Sequence, residues 1–149
     1  MRIVNRKFGR EYEELERFEA GIMLTGPEVK SIRAEKLKLD DSFVKIIGDE
    51  LFLINAEVYP IQYAPADMQQ STRTRKLLLN KAEITHILVK MKGGRGLTLA
   101  PVNCHTKGSL IKLDIALVRG RRDLEKRKRE KARDMARNEK REAKEFTKR

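Results

Sequence analysis

Few side chains in this sequence could do nucleophilic or metal chemistry. The two histidines are His86 and His105, and the one cysteine is Cys104. Cys104 and His105 are neighbours on a predicted strand, so their side chains point to opposite faces and cannot clamp one metal ion. We predict that Cys104 lies in the core. No nucleophile–base pair is evident, so the sequence predicts no catalytic residue, no metal or cofactor site and no enzyme.

The remaining candidate motifs have plain interpretations. The run Gly-Gly-Arg-Gly at 93–96 follows a predicted helix rather than a strand, so it does not match a phosphate-binding loop and is interpreted as a turn. The acidic pairs Asp40-Asp41 and Glu13-Glu14 are interpreted as solvated surface groups.

Positive charge is the dominant feature of the composition. The chain has 34 Lys and Arg against 22 Asp and Glu, a net charge of +12. Nucleic acid is the commonest partner of so basic a protein, and an anionic membrane surface is the rival. No apolar run approaches the roughly 20 residues needed to span a bilayer, and the first residues lack a signal-peptide core. We therefore expect no membrane partner and a cytoplasmic protein.

The charge is concentrated at the C-terminal end. Residues 119–149 hold 15 Lys and Arg against 7 Asp and Glu. We therefore expect a globular body over residues 1–118 and a basic tail over residues 119–149; the family resemblance described below implies that this body binds RNA.

The tail is rich in helix formers, yet its only large apolar residues are Leu124, Met135 and Phe146. Each i,i+4 ion pair contributes roughly 0.2–0.5 kcal/mol, whereas ordering a residue costs about 1–2 kcal/mol. We predict a tail that is disordered alone and helical once phosphates neutralise it. A permanently solvated charged helix is the alternative.

The body begins with an ambiguous segment and a clear helix start. Residues 11–24 fit a helix or a strand, and a strand through Phe18–Leu24 is favoured because Thr25 to Glu28 forms a capping box directly after it. That box predicts a helix over Gly26–Ala34. Val29 and Ile32 would face the core, with Lys30 and Arg33 facing out.

The rest of the body favours short strands. Runs at 42–47 and 51–58 flank Gly48-Asp49 as a hairpin, residues 61–74 form a loop, and two strands at 97–105 and 110–118 meet across Lys107-Gly108. A second cap at Asn80 starts a helix. At least five strands with inserted helices predict a mainly β fold, an OB-like antiparallel β-barrel with peripheral short helices and a basic C-terminal tail.

Seven motifs in order resemble one family, the SsrA-binding proteins (small protein B). They are Asn5-Arg6-Lys7, Phe18-Glu19-Ala20-Gly21, the run from Gly26 to Ala34, Asp41-Ser42-Phe43, the run from Arg73 to Leu79, Gly96-Leu97-Thr98, and the run from Gly120 to Arg127. The resemblance implies an OB-like barrel that binds the tRNA-like domain of transfer-messenger RNA and delivers it to stalled ribosomes for trans-translation. The tail would occupy the small-subunit decoding centre and the empty mRNA channel. We expect a monomer.

The resemblance also implies which residues bind. The family's RNA-binding positions fall on Asn5, Glu19, Leu78 and Lys112. Charge and motif membership add Lys30, Arg33, Arg73, Arg75 and Lys76. The ribosome-binding tail residues would be Gly120, Arg121, Arg122, Leu124, Glu125, Lys126 and Arg127.

Several alternatives stay open at this point. Glu19 could accept a base-edge donor or belong to a surface ion pair, and Leu78 could be core. The sequence departs from the family pattern where Leu124 and His105 replace usual aromatics and Asp114 replaces a usual basic residue. An ordinary ribosomal or rRNA-binding structural protein and an RNA-modifying enzyme with a basic arm remain the competing functions.

Overall fold

The computed structural model describes residues 1–61, 71–121 and 130–141, and antiparallel strands make up most of the body. The strands are β1 Arg2–Val4, β2 Tyr12–Ile22, β3 Leu37–Lys38, β4 Phe43–Ile47, β5 Glu50–Ile54, β6 Glu57–Val58, β7 Arg75–Leu78, β8 Leu97–Lys107 and β9 Leu110–Gly120. The helices of the body are α1 Phe8–Glu11, α2 Gly26–Arg33 and α3 Lys81–Gly93.

Seven of these strands form one closed sheet. Their order is β1-β8-β4-β5-β7-β2-β9, and β8 also pairs with β9, so the sheet returns on itself as a barrel with β1 attached to its side. Strands β3 and β6 form a separate two-stranded sheet. The predicted mainly β class and OB-like antiparallel barrel are confirmed. Among the described residues no helix has the length and apolar character to cross a membrane.

Alternate residues along the strands point into the barrel and form its core. Ala20 on β2, Leu53 on β5, Cys104 on β8 and Leu113 on β9 are fully buried, while most of their strand neighbours are exposed or half-buried; Asn103, beside Cys104, is an exception at 3% exposed. Burial, with Asp114 as a second cause, raises the pKa of the Cys104 thiol to about 12. The thiol therefore stays protonated, and the prediction that Cys104 belongs to the core is confirmed.

The start of α2 is the predicted capping box. The Thr25 hydroxyl accepts a hydrogen bond from the Glu28 backbone N–H, and the Glu28 carboxylate accepts one from the Thr25 backbone N–H. The helix ends at Arg33, one residue before the predicted end. Ile32 is buried and Lys30 is exposed, as the spacing predicted.

Two strand predictions needed correction in extent. Strand β2 starts at Tyr12, well before Phe18, because its first residues pair with the end of β9; this rules out the helical interpretation. The run predicted over 51–58 is interrupted, because Asn55 adopts a left-handed φ of 65°. Beyond that kink, β6 leaves the barrel and pairs with β3. Strands of two or three residues, such as β1, were not predicted because they are too short to show a period.

The boundary between body and tail also shifts. Arg119 and Gly120 continue the β9 ladder opposite Glu13 and Tyr12, so these two residues belong to the body rather than to the tail. Residues 130–141 form a helix in which every residue is exposed. A fully exposed helix fits both expectations for the tail, a helix formed on binding and a permanently solvated charged helix, so disorder of the free tail stays a prediction.

A buried ion pair ties α2 to β7. The Arg75 side chain is 1% exposed, and its Nε donates to the Glu28 carboxylate at 2.7 Å. Arg73 donates to the other Glu28 oxygen at 2.6 Å. Burial alone would raise the pKa of Glu28, but hydrogen bonds from Arg73, the Thr25 backbone and Arg75 outweigh it and lower the pKa to about 2.

The substitution Glu28→Gln is therefore expected to destabilise the fold by about 3–5 kcal/mol, because it leaves the Arg75 charge buried without its partner. Urea denaturation at neutral pH measures this loss. The matched control Glu50→Gln removes an exposed pair with Lys76 and should cost at most about 1 kcal/mol. Because the pKa of Glu28 is lowered on folding from the ordinary 4.5 to about 2, its contribution is complete above pH 4.5 and is lost as the pH falls towards 2. Equal losses in the two variants at neutral pH would contradict this role.

Candidate nucleic-acid interface

One row of residues crosses five strands on the outside of the barrel. Leu78 on β7 lies opposite Gly21 on β2, Gly21 opposite Lys112 on β9, Lys112 opposite His105 on β8, and His105 opposite Arg2 on β1. Residues directly opposite each other on paired strands share a face. We call these five residues the outer row.

The outer row faces away from the core: Leu78 and Arg2 are exposed, and Gly21, Lys112 and His105 are half-buried. Leu77, Ala20, Leu113 and Cys104 all point into the core, so the residues that follow or precede them point out. Leu78 is 48% exposed, which excludes the interpretation of this leucine as core. The row therefore presents an apolar side chain at one end and basic side chains at the other.

The small size of Gly21 relieves crowding in the middle of the row. A Cβ atom at Gly21 would lie 3.2 Å from the Cβ of Leu78, tighter than nine in ten real contacts of this kind. A larger residue there would therefore have to displace the Leu78 side chain, which lies against Gly21.

Glu19 lies beside the row, two residues before Gly21 on the same face of β2. Its carboxylate accepts a hydrogen bond from Lys107 Nζ at 3.1 Å and faces His105 Nε2 at 3.3 Å. The hydrogen bond from Lys107 is the largest influence on the pKa of Glu19, and together with the one from His105 it outweighs desolvation and lowers that pKa. Glu19 is therefore ionised, exposed and held by two basic side chains, which keeps both the ion-pair and the base-edge interpretation open.

A cavity of about 570 Å³ lies next to Leu78. Its lining combines Leu78 and apolar residues of α3 with two lysines, Lys76 and Lys81, and two acids, Asp49 and Glu50. Lys76 is two residues before Leu78 on β7, so it lies on the same outer face, where it pairs with Glu50 at 3.0 Å. Because carboxylates balance the lysines, the cavity does not by itself indicate a phosphate site.

The structure corrects two predicted contact residues. Arg75 is buried, and its guanidinium is committed to Glu28 and to the backbone carbonyls of Ala56 and Arg73. Asn5 is 4% exposed, and its side chain donates to the Pro101 carbonyl and accepts from the Lys7 backbone. Both residues therefore support the scaffold and cannot touch a ligand in this conformation.

The other predicted basic residues lie on different elements. Lys30 is exposed on α2, and Arg33 donates from Nη2 to the Ser109 carbonyl in the turn between β8 and β9 at 2.7 Å. Arg73 is 46% exposed while paired with Glu28. These three remain able to meet phosphates, but they are not members of the outer row.

Two of the predicted tail residues are described. Gly120 is the last residue of β9, and Arg121 donates from Nε to the Gly9 carbonyl at 2.8 Å, which fixes the point where the tail leaves the body. The other predicted tail residues lie outside the described residues: Arg122, Leu124, Glu125, Lys126 and Arg127.

Sequence reasoning missed Arg2, and it noted His105 and Asp114 only as departures from a pattern. The signal was present in the period-two alternation of 103–105 and 112–114, where polar residues flank buried Cys104 and Leu113. What could not be seen was the register. The pairing of β9 with β2 places Asp114 opposite Glu19, and the pairing of β9 with β8 then brings His105 to the same place. Arg2 follows through the pairing of β1 with β8.

Glu19, His105 and Asp114 each offer an atom that could bind a metal ion, and these atoms lie within 4.8 Å of one another. Among the described residues, this is the one group of three such side chains that lies close enough to hold a metal ion. The two carboxylates face different imidazole nitrogens, since Asp114 lies 3.9 Å from Nδ1 and Glu19 lies 3.3 Å from Nε2. Each carboxylate also has a basic partner, Lys107 or Arg17. Ion pairing therefore accounts for this cluster better than a metal ion bound at one nitrogen.

Comparison with known proteins agrees with a nucleic-acid interface. A family model described as SmpB protein matches residues 2–145. SsrA-binding proteins from Streptococcus pyogenes serotype M12 (strain MGAS2096) and serotype M5 (strain Manfredo) are each 39% identical over 142 residues, covering 95% of this chain and 91% of theirs. A solved structure described as "tmRNA-SmpB: a journey to the center of the bacterial ribosome" is 38% identical, covers 80% of this chain and 83% of that one, and superposes with a TM-score of 0.65. With this match running through nearly the whole length, barrel and tail alike, the chain belongs to the SmpB protein family.

Proposed function

We propose that this chain binds the tRNA-like domain of transfer-messenger RNA and delivers it to stalled ribosomes for trans-translation. The observation that carries the proposal is the outer row, with Glu19 beside it, on one rigid face of the barrel. The SsrA-binding relatives and the solved tmRNA-SmpB structure support this choice of RNA and ribosome as partners.

Each part of the interface has a distinct task in this proposal. Lys112 and Arg2 neutralise phosphates, which supplies affinity without sequence information. Leu78 gives an apolar contact to an unstacked base, and the Glu19 carboxylate accepts a hydrogen bond from a base-edge donor. Single-stranded loops of a folded RNA present bases in this way, whereas a regular RNA helix hides them in its deep groove.

The tail acts separately on the ribosome. We assign Arg121 and the basic residues after it to phosphates of the decoding centre and the empty mRNA channel. The complete exposure of residues 130–141 supports this division, because none of these residues is buried against the barrel. At Leu124 the contact is apolar packing, since leucine cannot stack as an aromatic ring does.

The proposed activity is binding without chemical turnover, and the ribosome as partner implies action in the cytoplasm. The buried, protonated Cys104 supports a protein without a cysteine nucleophile.

The test compares two RNAs at one salt concentration, because phosphate contacts make affinity strongly salt-dependent. We expect the full chain to bind the tRNA-like domain at least about 1,000-fold more tightly than an unrelated stem-loop of equal length, the lower end of the usual ratio of specific to non-specific binding. Equal affinities would favour a general rRNA-binding structural protein instead.

A further inference from the structure

A chain of hydrogen bonds runs along the outer face towards Glu19. Asn103 Nδ2 donates to Asp114 Oδ2 at 3.1 Å, Asn103 Oδ1 lies 2.9 Å from His105 Nδ1, and His105 Nε2 lies 3.3 Å from Glu19 Oε2. The His105 side chain is only 14% exposed. The imidazole is therefore held between an amide oxygen and a carboxylate.

The Asp114 carboxylate determines the orientation of the Asn103 amide, and through it which nitrogen of His105 carries a hydrogen. A carboxylate only accepts hydrogen bonds, so the amide nitrogen of Asn103 must face Asp114 and the amide oxygen must face His105. His105 Nδ1 must then carry a hydrogen. In a neutral imidazole the other nitrogen, Nε2, would point a lone pair at the Glu19 carboxylate. Only the doubly protonated ring gives a donor to both of its neighbours.

We propose that His105 is a positioning residue for RNA binding, whose protonated ring holds the Glu19 carboxylate ready for the RNA. The inference rests on the proposed function, because Glu19 is assigned there to a base edge. A carboxylate has about four acceptor positions. Lys107 and His105 occupy one each, so Glu19 stays fixed and still has positions free for an RNA donor.

Fixing an exposed carboxylate in advance favours binding because less side-chain freedom is lost when the RNA arrives. The direction of the pH dependence follows from the geometry. In the uncharged ring Glu19 keeps Lys107 but faces a lone pair at Nε2, so RNA affinity is lower than with the charged ring. Among the described residues, the other charged groups around this site are Asp114 and Lys112 on β9, Arg2 on β1, and Arg17 on β2, which lies against Asp114.

The experiment measures the Kd of the full chain for the tRNA-like domain at pH 5.8 and pH 8.0 in constant salt. We expect the unmodified chain to bind about 5–10-fold more weakly at the higher pH, as expected for loss of one charge-assisted hydrogen bond. His86→Gln is the matched control, because His86 is the only other histidine in the sequence. It lies on α3 and pairs with Glu16 of β2, away from Glu19. This variant should keep the full pH effect.

Substitutions at His105 separate positioning from general charge. In His105→Gln an uncharged amide can donate to Glu19 at either pH, so this variant should show little pH dependence and bind more tightly than the unmodified chain at pH 8.0. His105→Phe cannot donate and should bind weakly at both pH values. Retention of the full pH effect in His105→Gln would overturn the inference, as would equal binding by the Gln and Phe variants at pH 8.0.

A second readout needs no RNA. Imidazole ¹⁵N shifts at pH 8.0 should show His105 protonated at Nδ1, and the opposite tautomer would contradict the assignment made through Asn103. If the unmodified chain did not distinguish the tRNA-like domain from a stem-loop at either pH, the proposed function would fail together with this inference. If it did so without any pH dependence, only the role of His105 would fail.

Discussion

A chain that ends at Arg121 is expected to bind the tRNA-like domain almost as well as the full chain and to rescue no stalled ribosomes. The cut leaves every hydrogen bond of β9 in place, including the bond from Arg121 to the Gly9 carbonyl. It removes only residues that the proposed mechanism assigns to the ribosome. Fluorescence anisotropy with labelled RNA measures the first property, and peptide tagging on ribosomes stalled at the end of a truncated message measures the second.

The tail also carries positive charge, so some loss of affinity is expected at low salt and little at physiological salt. The control is a full-length chain in which the order of residues 122–149 is scrambled, so that charge and composition are unchanged. Rescue by the scrambled chain would show that the tail acts through charge alone. Rescue by the chain ending at Arg121 would contradict the division between an RNA-binding body and a ribosome-binding tail.

Short sequence motifs correctly predicted the elements whose start or turn is specified by neighbouring residues. The capping box at Thr25 and Glu28 predicted the start of α2, and Gly48-Asp49 predicted the hairpin of β4 and β5, because both motifs act within four residues. The end of β5 was not predictable in this way. Asn55 takes a left-handed φ inside a run of β-forming residues, and it is the pairing of β6 with β3 that requires the break.

Part of the proposed site was predictable from the sequence, but its arrangement was not, and Arg2 was missed. Glu19, Leu78 and Lys112 were identified through the family resemblance, and the sheet places them on one face. Arg75 has the same charge and motif as Arg73, and only the packing of β7 against α2 distinguishes the buried arginine from the exposed one. Charge alone predicts a phosphate contact, whereas burial beside Glu28 gives Arg75 a structural role.

The substitution Leu78→Glu is expected to weaken RNA binding by about 10–100-fold, because it replaces the apolar contact at one end of the outer row and places a negative charge among phosphates. Leu78 is 48% exposed, so the folded barrel can accept a polar side chain there. Thermal unfolding of the variant checks that its stability is unchanged. A loss of affinity without a loss of stability separates an interface residue from a core residue.

Val89→Glu is the matched control for this substitution. Val89 is an exposed apolar residue, 64% accessible on α3, and its replacement changes the net charge by the same amount away from the outer row. The decisive measurement is the ratio of the Kd values of these two variants for the tRNA-like domain at one salt concentration. If the outer row is the RNA-binding surface, Leu78→Glu binds at least about tenfold more weakly than Val89→Glu. Equal Kd values for the two variants would contradict it.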